Sequence, residues 1–68
     1  MDTLNKASFA IAYLNQNKKK MLFGMGTIEL VRNMQSFQKD NPDTFLYEIF
    51  ECGEWVGIAD SSLKIELV

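Results

Sequence analysis

Histidine is absent from this 68-residue chain, and cysteine, proline and tryptophan each occur once. Without histidine, the chain lacks the side chain that most often transfers protons near neutral pH. Because Cys52 is the single thiol, no disulfide can form within the chain, and cysteine and histidine cannot assemble a zinc site. The missing residue types therefore argue against an enzyme, a disulfide-rich domain and a zinc-stabilised domain.

The reactive groups that remain do not match a catalytic or ligand-binding pattern. Cys52 stands between Glu51 and Glu54, whose negative charges disfavour the thiolate. These two glutamates would bind a cation only weakly, because a calcium loop needs further oxygen ligands. Gly24 and Gly26 precede a predicted helix, as in phosphate-binding turns, but the third glycine and the lysine-hydroxyl ending of such turns are missing. We predict a non-catalytic protein without a cofactor or a metal.

Long hydrophobic runs are also missing. The longest uninterrupted apolar stretch covers residues 9–14, which is too short to cross a membrane, and the chain begins without the pattern of a secretory signal. Hydrophobic residues make up 47% of the composition and aromatic residues 12%, which is typical of a globular domain. These features predict one small domain over residues 1–68, located in the cytoplasm and without a membrane span.

Charge is divided unevenly along the chain. Residues 1–39 contain six basic and two acidic side chains, whereas residues 40–68 contain one basic and seven acidic side chains. Such halves can give one molecule a dipole, or they can let two copies attract each other head to tail. The alternative is that solvated turns carry different charges without consequence, since isolated surface charges contribute little.

The first part of the chain predicts a β-hairpin. Side chains alternate over residues 8–14 and again over residues 21–25, and the polar residues 15–19 between them are typical of a turn. A helix competes for the first segment, because Leu4, Ala7, Ile11 and Leu14 fall on one helical stripe. The strand is favoured because that helix would leave Phe9 on its opposite side.

Lys18, Lys19 and Lys20 lie between these two strands and allow two interpretations. They are either the solvated tip of the hairpin, where lysine also protects a sheet edge from pairing, or a contact for nucleic-acid phosphates. Exposed aromatic residues on a sheet can stack on bases, which supports the second interpretation. The acidic isoelectric point near 4.9 and the presence of a single arginine favour the first.

A change from two-residue to helical periodicity at Gly26 predicts an amphipathic helix. Thr27 is a suitable N-cap, and Glu29 suits the positive N-terminal end of the helix dipole. Asn41 and Pro42 are expected to end the helix, because the residue before proline is disfavoured in helical geometry. From Ile28 onward, the apolar stripe of this helix is predicted to contain Leu30, Val31, Met34 and Phe37.

The remaining residues predict three further strands. Residues 44–51 and 55–59 form a hairpin around Cys52 and Gly53, and residues 63–67 form a last strand after a turn at 60–62. A short C-terminal helix capped by Ser61 or Ser62 is the alternative to the last strand. With a two-residue loop, the expected cross-strand pairs are Glu51 with Glu54, Phe50 with Trp55, Ile49 with Val56, and Tyr47 with Ile58.

The element order is therefore β-β-α-β-β-β, which predicts an α+β fold of two layers with one amphipathic helix packed on a mainly antiparallel sheet. The sheet face expected against the helix carries Phe9, Ile11, Tyr13, Met21, Phe23, Met25, Phe45, Tyr47, Ile49, Val56 and Ile58. The opposite face is then expected to carry Ala10, Ala12, Leu14, Leu22, Leu46, Phe50, Trp55 and Ala59, with Glu48 as an interruption.

This opposite face is apolar, whereas a sheet face in water is normally polar. Leu46, Phe50 and Trp55 are expected to cluster there as a protein-interaction surface. The alternative is that the last strand or the N-terminus covers them. The sequence thus predicts a small interaction or regulatory module that forms a homo-oligomer or binds another protein. The second hypothesis is a nucleic-acid-binding protein that uses Lys18, Lys19 and Lys20.

Overall fold

In a computed structural model that describes residues 7–15 and 17–68, the predicted α+β fold with the order β-β-α-β-β-β is confirmed. The strands form one antiparallel sheet with the order β2-β1-β3-β4-β5. Among the described residues, no helix has the length and apolar character needed to cross a membrane. The elements are β1 (Ala7–Tyr13), β2 (Lys19–Met25), α1 (Thr27–Asp40), β3 (Leu46–Glu51), β4 (Glu54–Ala59) and β5 (Glu66–Leu67).

The first hairpin forms as predicted. Strands β1 and β2 pair from Ala7 opposite Met25 to Tyr13 opposite Lys19, so the helical alternative is wrong for these residues. Beyond Tyr13, the Leu14 amide donates a hydrogen bond to the Lys18 carbonyl at 2.9 Å, which closes the turn. Residues 1–6 and Gln16 lie outside the described residues. They include Leu4 of the alternative helical stripe, the N-terminus that was the alternative cover of the apolar face, and one residue of the predicted turn.

Helix α1 differs from the prediction at its start. The N-cap position is Gly26, with φ of 89°, and Thr27 is the first helical residue instead of the cap. Glu29 lies in the first turn as expected, where its carboxylate accepts a hydrogen bond from the Met25 amide. At the other end the helix stops at Asp40 as predicted, and the Asn41 amide bonds to the Phe37 carbonyl at 2.8 Å.

The buried side of α1 is narrower than the predicted stripe. Leu30 and Met34 are fully buried, and Phe37 is partly buried against the same core. Ile28, where the apolar pattern begins, is 77% exposed and lies off the buried side. The reason is geometric: at 3.6 residues per turn, a position two residues before Leu30 points to the opposite side of the helix.

Helix α1 covers the sheet face with the smallest side chains. A Cβ atom placed on Gly24 would lie 2.5 Å from the backbone N and Cα of Leu30, so the helix rests directly on the β2 backbone. The buried core consists of Ala10, Ala12, Leu30, Met34, Tyr47, Ile49 and Ala59. Our assignment of the first hairpin is therefore wrong: the side chains that face away from the helix are Phe9, Ile11, Tyr13, Met21, Phe23 and Met25.

A β-bulge shifts the second hairpin by one residue. The turn at Cys52 and Gly53 forms as predicted, with φ of 53° and 83°, and Phe50 pairs with Trp55. The register then shifts, so that Ile49 pairs with Gly57 instead of Val56. As a consequence, Tyr47 lies opposite Ala59 instead of Ile58, and Ile58 moves to the side away from the helix.

The C-terminal segment completes the helix layer instead of covering the opposite face. Strand β5 is limited to Glu66–Leu67 and pairs with β4, and the alternative C-terminal helix does not form. Leu63, Ile65 and Leu67 pack against the core on the helix side. The last residues therefore leave the other face of the sheet open.

Substitution of Gly24 tests the contact between the helix and the sheet. We expect Gly24→Ala to lower the free energy of unfolding by about 3 kcal/mol, because Leu30 backbone atoms occupy the position of the new methyl group. Gly53→Ala is the control, since Gly53 has positive φ but open space around it, and strain alone should cost about 1 kcal/mol. Urea unfolding followed by Trp55 fluorescence measures both; equal losses would contradict the close packing at Gly24.

Candidate functional site

Within residues 7–15 and 17–68, the surface that remains uncovered is the sheet face opposite α1, and we call it the open face. Alternation along each strand brings its side chains together, and β1 and β3 lie at its centre. The open face consists of Phe9, Ile11, Tyr13, Lys19, Met21, Phe23, Met25, Leu46, Glu48, Phe50, Trp55, Ile58 and Glu66.

An aromatic row crosses the open face over four neighbouring strands. In register, Phe23 pairs with Phe9, Phe9 with Phe50, and Phe50 with Trp55. The rings of Phe9 and Phe50 stack with centroids 4.7 Å apart and planes inclined by 6°. The rings of Phe9 and Phe23 are tilted by 50°, and their centroids are 6.2 Å apart. The two ends of the row remain in water, since Phe23 is 63% and Trp55 46% exposed. Stacking therefore orders the row without burying it.

The next row contains a carboxylate among apolar side chains. Ile11 on β1 and Ile58 on β4 lie directly beside Glu48 on β3. The Tyr13 hydroxyl donates a hydrogen bond to Glu48 Oε1, and Lys19 Nζ lies 5.3 Å from the centre of the Tyr13 ring. A polar chain thus runs from the first hairpin turn to the middle of the open face.

The predicted interface residues share the open face but do not form one cluster. Phe50 and Trp55 are neighbours, whereas Leu46 is separated from Phe50 along β3 by Glu48. Their expected companions Ala10, Ala12, Leu14, Leu22 and Ala59 belong instead to the buried core or pack against it. The interface role of Leu46, Phe50 and Trp55 stays a prediction.

The larger part of the open face comes from the first hairpin, which the sequence analysis assigned to the helix side. The signal that would have identified it is the size of the residues on the other side. Ala10, Ala12 and Gly24 leave room for a helix, whereas Phe9 and Phe23 do not.

Both edges of the sheet are restricted. On the free edge of β2, the Asn33 side-chain amide donates to the Phe23 carbonyl at 2.5 Å, and the Glu29 carboxylate accepts from the Met25 amide. These side chains of α1 occupy backbone groups that another strand would need for pairing. The opposite edge, β5, is only two residues long. The open face is therefore the more accessible surface for association.

Lys18, Lys19 and Lys20 are all exposed, but they do not point to one side. Lys19 is opposite Tyr13 and lies on the open face, whereas Lys20 is opposite Ala12 and therefore lies on the helix side. Lys18 belongs to the turn. Of the three predicted nucleic-acid-binding residues, the sheet thus places Lys19 beside the aromatic side chains and Lys20 away from them.

A groove beside the open face is too small to bind a typical organic ligand. It is lined by residues that include Leu46, Ile58, Asp60 and Lys64, and its volume of about 130 Å³ is well below the usual range of roughly 300–1,000 Å³. The pKa of Asp60 is lowered because its carboxylate accepts hydrogen bonds from the Ser62 hydroxyl and amide. These bonds fix the turn, so the groove has a structural explanation.

Comparison of the chain with known protein families, curated proteins and solved structures gave no match. The residues of the open face and their geometry therefore provide the basis for a functional inference.

Alkaline titration tests the link between Tyr13 and Glu48. The hydrogen bond to Glu48 raises the pKa of Tyr13 above 10.0, with smaller contributions from desolvation and the Glu48 charge, and burial raises the pKa of Tyr47. Because the folded-state pKa of Tyr13 is raised, its contribution to stability is present at neutral pH and lost as pH rises through that pKa.

We expect Glu48→Ala to lower the pKa of Tyr13 towards its ordinary value and to leave that of Tyr47 unchanged, as measured by tyrosinate absorbance. Glu66→Ala is the control, because Glu66 lies on the open face beyond Ile58. If both variants titrate like the wild type, the hydrogen bond between Tyr13 and Glu48 does not form in solution.

Proposed function

We propose that this protein is a small, non-catalytic interaction module of the cytoplasm that self-associates by packing its open face against the open face of a second copy. The observation that supports this proposal is the apolar and aromatic character of a sheet face that neither α1 nor the C-terminal segment covers. Soluble monomers rarely expose a continuous apolar patch of more than a few hundred Å².

The size of the open face fits a weak but specific dimer. Four strands about 4.8 Å apart and about 20 Å long give a patch of roughly 400 Å² in projection. Because side chains make the surface rough, two such patches bury about 1,000 Å² in total, which is near the lower limit of specific interfaces. We therefore expect micromolar association instead of an obligate dimer.

Sheet geometry and charge favour a second copy as the occupant. Two sheets pack face to face at about 10 Å when their inner side chains interdigitate. The aromatic row provides each copy with the same set of protruding side chains for such packing. Lys19 lies on the β2 side of the open face and Glu66 on the β5 side. A two-fold axis along the strands lays the β2 side of one copy over the β5 side of the other, so each lysine approaches the carboxylate of its partner. Asp60 and Lys64 lie beside this region, and their opposite charges offset each other.

Charge substitution on the open face tests self-association. We expect the wild type to be dimeric at concentrations on the order of 100 µM, and Trp55→Glu and Phe23→Glu to be monomeric, because each would bury a carboxylate in the interface. Gel filtration with light scattering measures the mass. Ile28→Glu is the matched control, since Ile28 is an exposed apolar residue of α1 on the other side of the molecule.

A wild type that stays monomeric at this concentration from about pH 8 to about pH 5 would contradict self-association. A dimer that Ile28→Glu disrupts and Trp55→Glu leaves intact would assign the interface to the helix. Thermal unfolding of each variant separates lost association from lost folding.

Nucleic-acid binding remains the alternative, and it has its own test. We expect no binding of a single-stranded oligonucleotide at about 50 mM salt, because Glu48 and Glu66 repel phosphates from the face that carries the aromatic rings. Fluorescence anisotropy measures the binding. Affinity that falls steeply with salt, and that is lost when Lys18, Lys19 and Lys20 are all replaced by Gln, would favour the alternative over self-association.

A further inference from the structure

Glu48 occupies the middle of the open face. It lies on β3, the central strand of the five, between Ile11 of β1 and Ile58 of β4. Along β3, Leu46 and Phe50 are its neighbours on the same face. A half-buried carboxylate is thus surrounded in the plane of the sheet by four large apolar side chains.

In the part of the chain that the structure describes, the groups around Glu48 do little to neutralise its charge. Its hydrogen-bond partner is the neutral hydroxyl of Tyr13, and the nearest cation of that hairpin, Lys19, lies over the Tyr13 ring. On the β4 and β5 side, the next charged residue in register is Glu66, beyond Ile58. Asp60 and Lys64 line the groove next to Leu46 and Ile58. Helix α1 is on the other side of the sheet.

We propose that Glu48 links dimer formation to proton uptake, so that two copies associate through the open face most tightly in mild acid. This inference rests on the proposed packing of the open face against a second copy. In the monomer, water reaches Glu48 from the open side. In the dimer, the apolar side chains of the partner replace that water.

Two physical effects favour the protonated form in the dimer. Removal of water from a carboxylate penalises its charged form. In addition, Glu48 is central, so a two-fold axis through the face brings the two Glu48 side chains towards each other, and two like charges at close range cannot both stay ionised without penalty. A protonated Glu48 can still accept the Tyr13 hydrogen bond and has a proton to share with its counterpart.

The direction of the pH effect follows from linkage. If Glu48 binds a proton more tightly in the dimer than in the monomer, the dimer takes up protons as it forms, and Kd falls as pH falls. Uptake of one proton changes Kd by at most tenfold per pH unit. Because each of the two copies can take up one proton, Kd changes by at most about 100-fold per pH unit.

The experiment measures the dimer dissociation constant of the full chain by sedimentation from about pH 8 to about pH 5. We expect the wild-type Kd to fall at least tenfold over this range. Glu48→Gln should dimerise at pH 8 at least as tightly as the wild type does at pH 5, and it should show no such pH dependence. Glu54→Gln is the matched control and should keep the wild-type dependence, because Glu54 is exposed at the start of β4 and lies off the open face.

The outcomes separate this inference from the proposed function. A dimer whose Kd is independent of pH, or whose pH dependence is unchanged in Glu48→Gln, would overturn the role of Glu48 and leave self-association standing. Failure of both the wild type and Glu48→Gln to associate at every pH would overturn self-association itself. If Glu48→Gln does not fold, carbon NMR of the wild-type carboxylates gives the answer, since the pKa of Glu48 should rise with protein concentration.

Discussion

The close approach of α1 to β2 at Gly24 is the constraint on which the rest of the structure depends. Because Gly24 has no side chain, the Leu30 backbone can lie where any other residue would place its Cβ atom. This contact selects the alanine and glycine side of the first hairpin for the core. The aromatic and other large side chains of the same strands are therefore left on the open face, where the core cannot use them.

Patterns in the sequence were sufficient to predict the strands and the helix, but not to predict which face of the sheet packs against the helix. Alternation, the polar turns and the helical stripe around Leu30 and Met34 predicted the order of strands and helix, because each is a local property of the chain. Alternation also shows which residues share a face, but it does not show which face meets the helix. Which face meets the helix depends on how closely the two backbones can pack. Gly24 is the residue from which that face could have been predicted.

The second hairpin shows a different limit of prediction from the sequence. Its turn and the pair formed by Phe50 and Trp55 were predicted correctly, since a two-residue turn fixes the first pairs of a hairpin. The bulge at Val56 has no clear signal in the sequence, yet it reverses the side of every following residue. The hydrogen bond between Tyr13 and Glu48 could not be predicted from the sequence either. It joins residues 35 positions apart, and their proximity depends on the pairing of β1 with β3.

Asn33 and Glu29 give the molecule a property that is separate from the affinity of the open face. By occupying Phe23 and Met25 backbone groups, they hinder the lateral addition of strands, which has no natural endpoint and leads to fibres. Growth across a face is different, because a two-fold contact consumes the surface on both subunits and stops there. If the proposed two-fold dimer forms, a cell that accumulates this protein would contain a reversible pool of dimers whose concentration rises with the square of the free monomer concentration, and strand-by-strand polymers would be disfavoured.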